Sequence, residues 1–283
     1  RYRGDDIIWE IWNEPDLARF WPPKPNVDAY IALAETTCKA MRAVVPSATI
    51  VGPALARIPD PQDKVMPAYI SKVMGSKAMQ CLDAVSVHPY RHGREEPEAV
   101  FMDYERLFFL MAAHKLYKPL INTEWGYTTT QVSEEMQATY ALRARLSDMM
   151  WGVPLSIWYE WRDSRCDPKD PEGFFGLTTI EGEDKPSMTA LASLLPHIHD
   201  AKLVQQLYTK NPKDVLLLMK RKSGKHLVVG WTLREEGREP AARLIVMRNF
   251  NPILGVLTNM PQVLATGSLA QTERFDIREE PAS

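Results

Sequence analysis

The chain has 283 residues, 45% of them hydrophobic and 25% charged, which is enough apolar material for one large or two modest domains. With 34 basic against 36 acidic side chains and a net charge of -2, it shows no bias toward nucleic acid or an anionic membrane as partner. No apolar run approaches the ~18 residues of a membrane-spanning helix. The three cysteines, Cys38, Cys81 and Cys166, match no zinc spacing; at most one pair can form, and they read as free, mostly buried thiols.

Taken in chain order, apolar strand-like runs fall at 7–12, 48–53, 83–88, 118–123 and 154–160. Helical patterns lie between and after them, at 27–45 (stopped by Pro46), 63–75 (ending at Gly75), 97–116, 132–150 and 186–199. Strand starts about 35–41 residues apart, each followed by a helix, predict βα units and a parallel sheet. Residues 164–186 form a long loop rich in Asp, Pro and Gly. Past residue 200 the pattern changes to short runs: KLVQQLYT, DVLLLMKRK, KHLVVGWTL, ARLIVMRNF, GVLTNM and ERFDIRE, parted by turn residues such as Asn211-Pro212, Ser223-Gly224 and Asn251-Pro252. The expected organisation is a βα domain over 1–199 and a small antiparallel, sandwich-like β domain over 200–283.

In a closed βα barrel the chemistry sits at the C-terminal ends of the strands. Those ends carry Asn13-Glu14-Pro15, His88-Pro89-Tyr90, Thr123-Glu124-Trp125 and Trp158-Tyr159-Glu160-Trp161. Two glutamates among amide, imidazole, phenol and indole groups suit the breaking of a glycosidic bond. One carboxyl protonates the leaving oxygen while a second attacks, or assists at, the anomeric carbon. The acid must hold its proton near neutrality, which burial or a negative neighbour achieves; the nucleophile must stay ionised, with hydrogen-bond donors around it. His88 and Tyr90 are placed to donate to the second carboxylate, and Asn13 to a sugar hydroxyl.

The motifs WEIWNEPD, GPA (52–54), SVHPYR (86–91), NTEWGY (122–127) and SIWYEWRD (156–163) resemble the retaining β-glycosidases of glycoside hydrolase clan A, family 39 more closely than family 5. The resemblance covers residues 1 to about 195. It implies Glu14 as acid/base, Glu124 as nucleophile, His88 and Tyr90 beside them, and Trp158 or Tyr159 as the platform under the sugar, with no metal or organic cofactor. Trp125 and Trp161 also sit where they can stack on sugar. In that clan the Asn-Glu-Pro motif ends the fourth barrel strand, whereas here it ends the first. The fold expected is therefore a partial (β/α)8 barrel of about five βα units, matching strands four to eight, plus the C-terminal β domain. Its first and last strands become apolar edges, which predicts a homo-oligomer joined through the open edges or a missing N-terminal segment. Rival readings are a non-catalytic carbohydrate-binding or scaffold protein, supported by the missing strands, and a transglycosylase. The resemblance points to a secreted or periplasmic protein, although no signal peptide is visible.

Other residues carry blander expectations. Glu160 is a third acid or the ion-pair partner of Arg162 or Arg165. His88 is catalytic or a satisfied core histidine. Trp9 and Trp12 read as core, Trp21 as either a subsite wall or a loop anchor, and Asp83 as structural. Glu95-Glu96 and Glu235-Glu236 read as solvated charges, and His197 with His199 as an isolated pair without a metal.

Overall fold

A computed structural model describes residues 6–58, 66–91, 93, 95–165, 167, 169–207, 209, 211 and 213–233, with the segments 243–248, 250–251, 256–257 and 262–266. They form two compact units. The first holds the described residues of Arg1–Arg91, Glu98–Trp125 and Trp151–Trp158, and the second those of His92–Pro97, Gly126–Met150 and Tyr159–Ser283.

In the first unit five parallel strands pair in chain order: β1 (Ile8–Glu10), β2 (Thr49–Leu55), β3 (Ala84–Val87), β4 (Leu120–Trp125) and β5 (Ser156–Trp158). The result is a curled half-barrel, five strands where a closed barrel has eight. Among the described residues β1 pairs only with β2 and β5 only with β4, and both edges expose an isoleucine, Ile8 at 49% and Ile157 at 46%. Val51, Ala84 and Ile121 cluster between the central strands. Six of the seven residues of β2 are buried, the near-continuous apolar run that a parallel strand covered on both faces requires.

Helix α1 (Val27–Val44) starts where Asn26 accepts a 3.1 Å hydrogen bond from the Ala29 amide and Asp28 occupies the first turn. Tyr30, Ala34 and Cys38, four residues apart, make its buried stripe. Near its end Arg42 donates to Asp83 Oδ2 (2.6 Å), and the same oxygen accepts from the Ile50 amide (2.7 Å), which gives Asp83 its structural role. The helix expected at 63–75 is α2 (Met66–Met74), followed after a break by a separate short α3 (Lys77–Cys81). Cys38 of α1 and Cys81 of α3 form a disulfide, so two of the three thiols read as free are bonded. Their spacing of 43 residues fits no motif and gave no sign of the pairing. Cys166 lies outside the described residues. Helix α4 (Val100–Ala113) buries Val100, Tyr104, Leu107 and Met111, and the rings of Phe101, Tyr104 and Phe108 meet Trp151.

In the second unit α5 (Glu134–Met150) and α6 (Pro186–Ile198) lie against an antiparallel sheet. Its strand order is β12 (Gln262–Thr266), β9 (Arg243–Arg248), β8 (His226–Thr232), β7 (Asp214–Arg221), β6 (Ala201–Leu207). A separate pair joins β10 (Phe250–Asn251) to β11 (Val256–Leu257). Alternation along β7 divides its side chains. Val215, Leu217 and Met219 join Leu142, Leu194 and Trp231 in one core, while Leu216 and Leu218 join Leu207 and Val228 in another. Strand β12 matches no run singled out in the sequence; the run ERFDIRE and the pair Glu235-Glu236 lie outside the described residues. Glu96 is not a solvated charge: it pairs with Arg143, which is fully buried.

Candidate active site

The corner after β1 departs sharply from a strand. Trp12 and Glu14 take φ of 69° and 44°, a left-handed region that non-glycine residues enter at a cost. Three contacts hold the corner there. The Leu17 amide donates to the Glu14 carbonyl (3.0 Å), and Tyr69 Oη donates to the Pro15 carbonyl (3.1 Å). Buried Asp16 accepts from the Ala56 and Arg57 amides at 3.1 and 2.8 Å, tying the loop after β1 to the loop after β2. Burial pushes the Asp16 carboxyl up, and those amides pull it back in part. The corner turns the Glu14 side chain inward until the residue is only 6% exposed.

Gly52 of β2 passes close behind this corner. A Cβ there would stand 2.9 Å from Tyr30 Oη, and the same hydroxyl donates to the Ile11 carbonyl (3.4 Å). Ser86 Oγ of β3 accepts from the Ala54 amide (2.9 Å). One residue past β3, His88 donates its backbone amide to Leu55 (2.8 Å) and buries its ring to 1% exposure.

That ring is the centre of a carboxylate cluster. His88 Nδ1 lies 2.9 Å from Glu14 Oε1 and 3.7 Å from Glu124 Oε2, and Nε2 lies 4.0 Å from Glu10 Oε2. With Oε1 of Glu14 as the acceptor, the proton of the short contact sits on Nδ1. Glu124, on β4 with its side chain 28% exposed, receives a 2.6 Å hydrogen bond from Tyr90 Oη. The two expected donors are thus divided, His88 binding Glu14 and Tyr90 binding Glu124. Burial pushes the Glu124 carboxyl up, and Tyr90 and His88 restrain the rise. Burial opposes a charge on His88, but Glu10, Glu14 and Glu124 prevail and raise it to about 9. One polar atom each from Glu14, His88 and Glu124 converges within 4.8 Å, and with the ring protonated the positive charge at the centre of the group is the imidazolium itself.

The other expected site residues divide. Asn13 is half-buried between Trp12 and Glu14. Trp158 is half-buried at the end of β5, paired in register with Trp125. Trp125 is 1% exposed, an interior ring rather than an open platform. Trp161 belongs to the second unit, 69% exposed. Glu160 is in that unit too, where burial pushes its carboxyl up and Ser164 and Arg165 restrain the rise; Arg165 also pairs with Asp170. Trp12, expected in the core, is 50% exposed, with Nε1 donating to the Phe20 carbonyl (3.1 Å) and its ring edge-on to Trp21. Trp21 in turn packs on Tyr30, as a loop anchor would. Glu10 was not singled out from the sequence. Its signal was there: a lone acid inside the apolar run IIWEIW must find a partner when buried.

No protein-family model matches the chain. Over 58 residues, 19% of this chain and 11% of the other, it is 40% identical to a β-xylosidase from Geobacillus stearothermophilus. Among solved structures, a family 39 glycoside hydrolase from Bacteroides cellulosilyticus superposes with a TM-score of 0.61 at 20% identity, over 87% of this chain and 50% of that one. A family 51 α-L-arabinofuranosidase from Bifidobacterium longum gives 0.60 at 12% identity, over 92% of this chain and 63% of that one. The chain therefore spans about half to two thirds of the length of these solved structures and a ninth of the curated relative. Its fold is the one these glycoside hydrolases share, with a curled half-barrel in the first unit and an antiparallel sheet in the second.

Proposed function

We propose that this chain is, or is part of, a retaining β-glycoside hydrolase acting on an oligo- or polysaccharide. One observation carries the reading: carboxylate oxygens of Glu14 and Glu124 stand within 4.8 Å of each other. Carboxyl groups ~5–5.5 Å apart leave no room for a water between the second carboxylate and the anomeric carbon, so that carboxylate attacks directly, whereas inverting pairs stand ~6.5–9.5 Å apart; oxygens this near each other favour the closer spacing.

In the first step Glu124 forms a bond to the anomeric carbon as the glycosidic C–O bond breaks, and Glu14 gives its proton to the departing oxygen. In the second, Glu14 takes a proton from water, whose oxygen displaces Glu124. Since His88 occupies Oε1 of Glu14, Oε2 is the oxygen left to carry and deliver the proton. Tyr90 supports the ionised nucleophile, and exposed Trp12 offers a flat apolar face one residue before Asn13.

The test is hydrolysis of a panel of aryl β-glycosides, xylosides included because of the β-xylosidase likeness, by the chain and its Glu14→Ala and Glu124→Ala variants. Glu124→Ala should abolish turnover on every substrate. Glu14→Ala should still release an acidic phenol in a first burst, since that departure needs no proton, but then turn over slowly because no base activates water, and it should lose the other substrates at the first step. Equal activity in all three proteins overturns the assignment.

A binding-only scaffold is the second reading, favoured by the five strands present out of eight. It predicts glycan binding without product. The exposed edges at Ile8 and Ile157 support self-association through them, which a monomeric mass in solution would refute. The Cys38–Cys81 disulfide supports an oxidising, extracytoplasmic compartment.

A further inference from the structure

The cluster contains a carboxylate that the proposed chemistry does not use. Glu10 ends β1 four residues before Glu14, with its side chain 25% exposed. Thr123 Oγ1, next to the nucleophile on β4, donates to Glu10 Oε1 (2.8 Å), leaving Oε2 turned toward His88 Nε2 at 4.0 Å. At that separation the two form an ion pair rather than a hydrogen bond. Nε2 is buried and has no hydrogen-bond partner among the described residues.

We propose that Glu10 is a positioning residue that keeps His88 doubly protonated, and so fixes which oxygen of Glu14 carries the catalytic proton. This rests on the glycosidase reading for its catalytic half only. The Nδ1 proton is committed to Glu14. Nε2 then has two options, a lone pair or a second N–H. A lone pair aimed at a carboxylate 4.0 Å away is repelled; an N–H carrying the imidazolium charge is attracted. The charged groups around the ring are Glu10 from β1, Glu14 from the corner after it and Glu124 from β4, and Tyr90 stands behind Glu124. Glu14 and Glu124 both lie on the Nδ1 side, so Glu10 alone opposes a lone pair on Nε2.

The direction of titration agrees. Burial alone would raise Glu10, yet His88, Ser86 and Thr123 bring it below its ordinary value, as a carboxylate facing a cation should be. Without Glu10, His88 is free to become neutral in the working range. A neutral ring, unlike the imidazolium, has a tautomer whose Nδ1 accepts from Glu14 instead of donating to it, and in that tautomer the acid's proton sits on the oxygen facing His88.

The experiment is a nitrogen-15 NMR titration of the His88 imidazole in the whole chain, for the parent, Glu10→Gln and Glu10→Asp. In the parent both ring nitrogens should be protonated at neutral pH. In Glu10→Gln the titration should move down by ~1–3 pH units, as for loss of one opposite charge at this range. Glu10→Asp, which keeps the charge, should recover part of that shift. If Glu10→Gln does not fold, Thr123→Val frees Glu10 to turn away and should move the titration the same way by less. A neutral ring in the parent at pH 7, or an unmoved titration in Glu10→Gln, overturns the proposal. The NMR readout needs no turnover, so a chain that hydrolyses nothing refutes the glycosidase reading and leaves the Glu10–His88 coupling standing. Where turnover is present, the basic limb of kcat/KM in Glu10→Gln should move to lower pH by the same shift; a purely structural Glu10 would lower the whole profile without moving it.

Discussion

Tyr90 Oη donates a 2.6 Å hydrogen bond to Glu124 Oε1, and it is the short bond made to a carboxylate that burial is pushing up. Removing the hydroxyl leaves burial less opposed, so the Glu124 carboxyl rises further. In Tyr90→Phe the acidic limb of kcat/KM should therefore shift to higher pH. A hydrogen bond to a charged group contributes ~1.5–3 kcal/mol, so turnover at the optimum should fall by roughly ten- to a hundredfold. An unshifted acidic limb would mean that Tyr90 serves the fold and not the nucleophile.

Lys185 and Asp163 form a buried ion pair in the second unit, with Nζ 2.7 and 2.6 Å from the two carboxylate oxygens. Asp163 Oδ1 also accepts from the Gly176 amide (2.8 Å), and the Asp163 amide bonds the Thr178 carbonyl (3.0 Å), so the pair pins the chain after β5 to the start of α6. Lys185→Met strands a carboxylate with one donor and should cost ~3–5 kcal/mol in urea unfolding. Asp163→Leu with Lys185→Met removes both charges together and should recover most of that loss. A single variant costing under ~1 kcal/mol would show that water reaches the pair.

The Cys38–Cys81 disulfide closes a loop spanning 43 residues between α1 and α3. Chain entropy assigns a loop of that length about 4 kcal/mol of stabilisation, a large fraction of a domain's total. Cys38→Ser with Cys81→Ser, or a reducing agent on the parent, should lower the urea midpoint of the first unit by a matching amount. Equal midpoints with and without reductant would show that the bond adds nothing.

Much of this fold could be read from periodicity. The strands at 48–53, 83–88 and 118–123 were legible because both faces of a covered parallel strand are apolar, so the run is continuous. The ends of the sheet were less so. The run at 7–12 is apolar on both sides of Glu10, yet the strand stops at Glu10 because the chain turns left-handed at Trp12 and Glu14. Nothing in a tryptophan or a glutamate announces a positive φ; the contacts of Asp16 and Tyr69 hold it, and both come from distant sequence. Glu14, Glu124 and Tyr90 could be singled out because they stand just after apolar runs, at strand ends. Glu10 was missed because it lies within the strand, and Glu96 because its partner Arg143 is 47 residues away. Trp125 was expected at the surface of the site, but alternation along β4 turns it to the face opposite Glu124, where it is buried.

His88 also links the site to stability. Its folded value, about 9, lies above the 6.5 of an unfolded histidine. A group raised on folding binds its proton more tightly when folded, so the stability it adds is fully present below about pH 6.5. That stability is lost as the pH climbs through about 9. The sign is the reverse of the one expected for a buried, unpaired histidine, which would destabilise the fold on protonation. The contribution is on the order of 3 kcal/mol. Urea unfolding of the parent should show stability falling between neutral pH and about pH 9, and His88→Gln should flatten that slope whatever its own baseline. A slope that survives in His88→Gln would place the titrating group elsewhere and leave the three carboxylates without the cation that this geometry gives them.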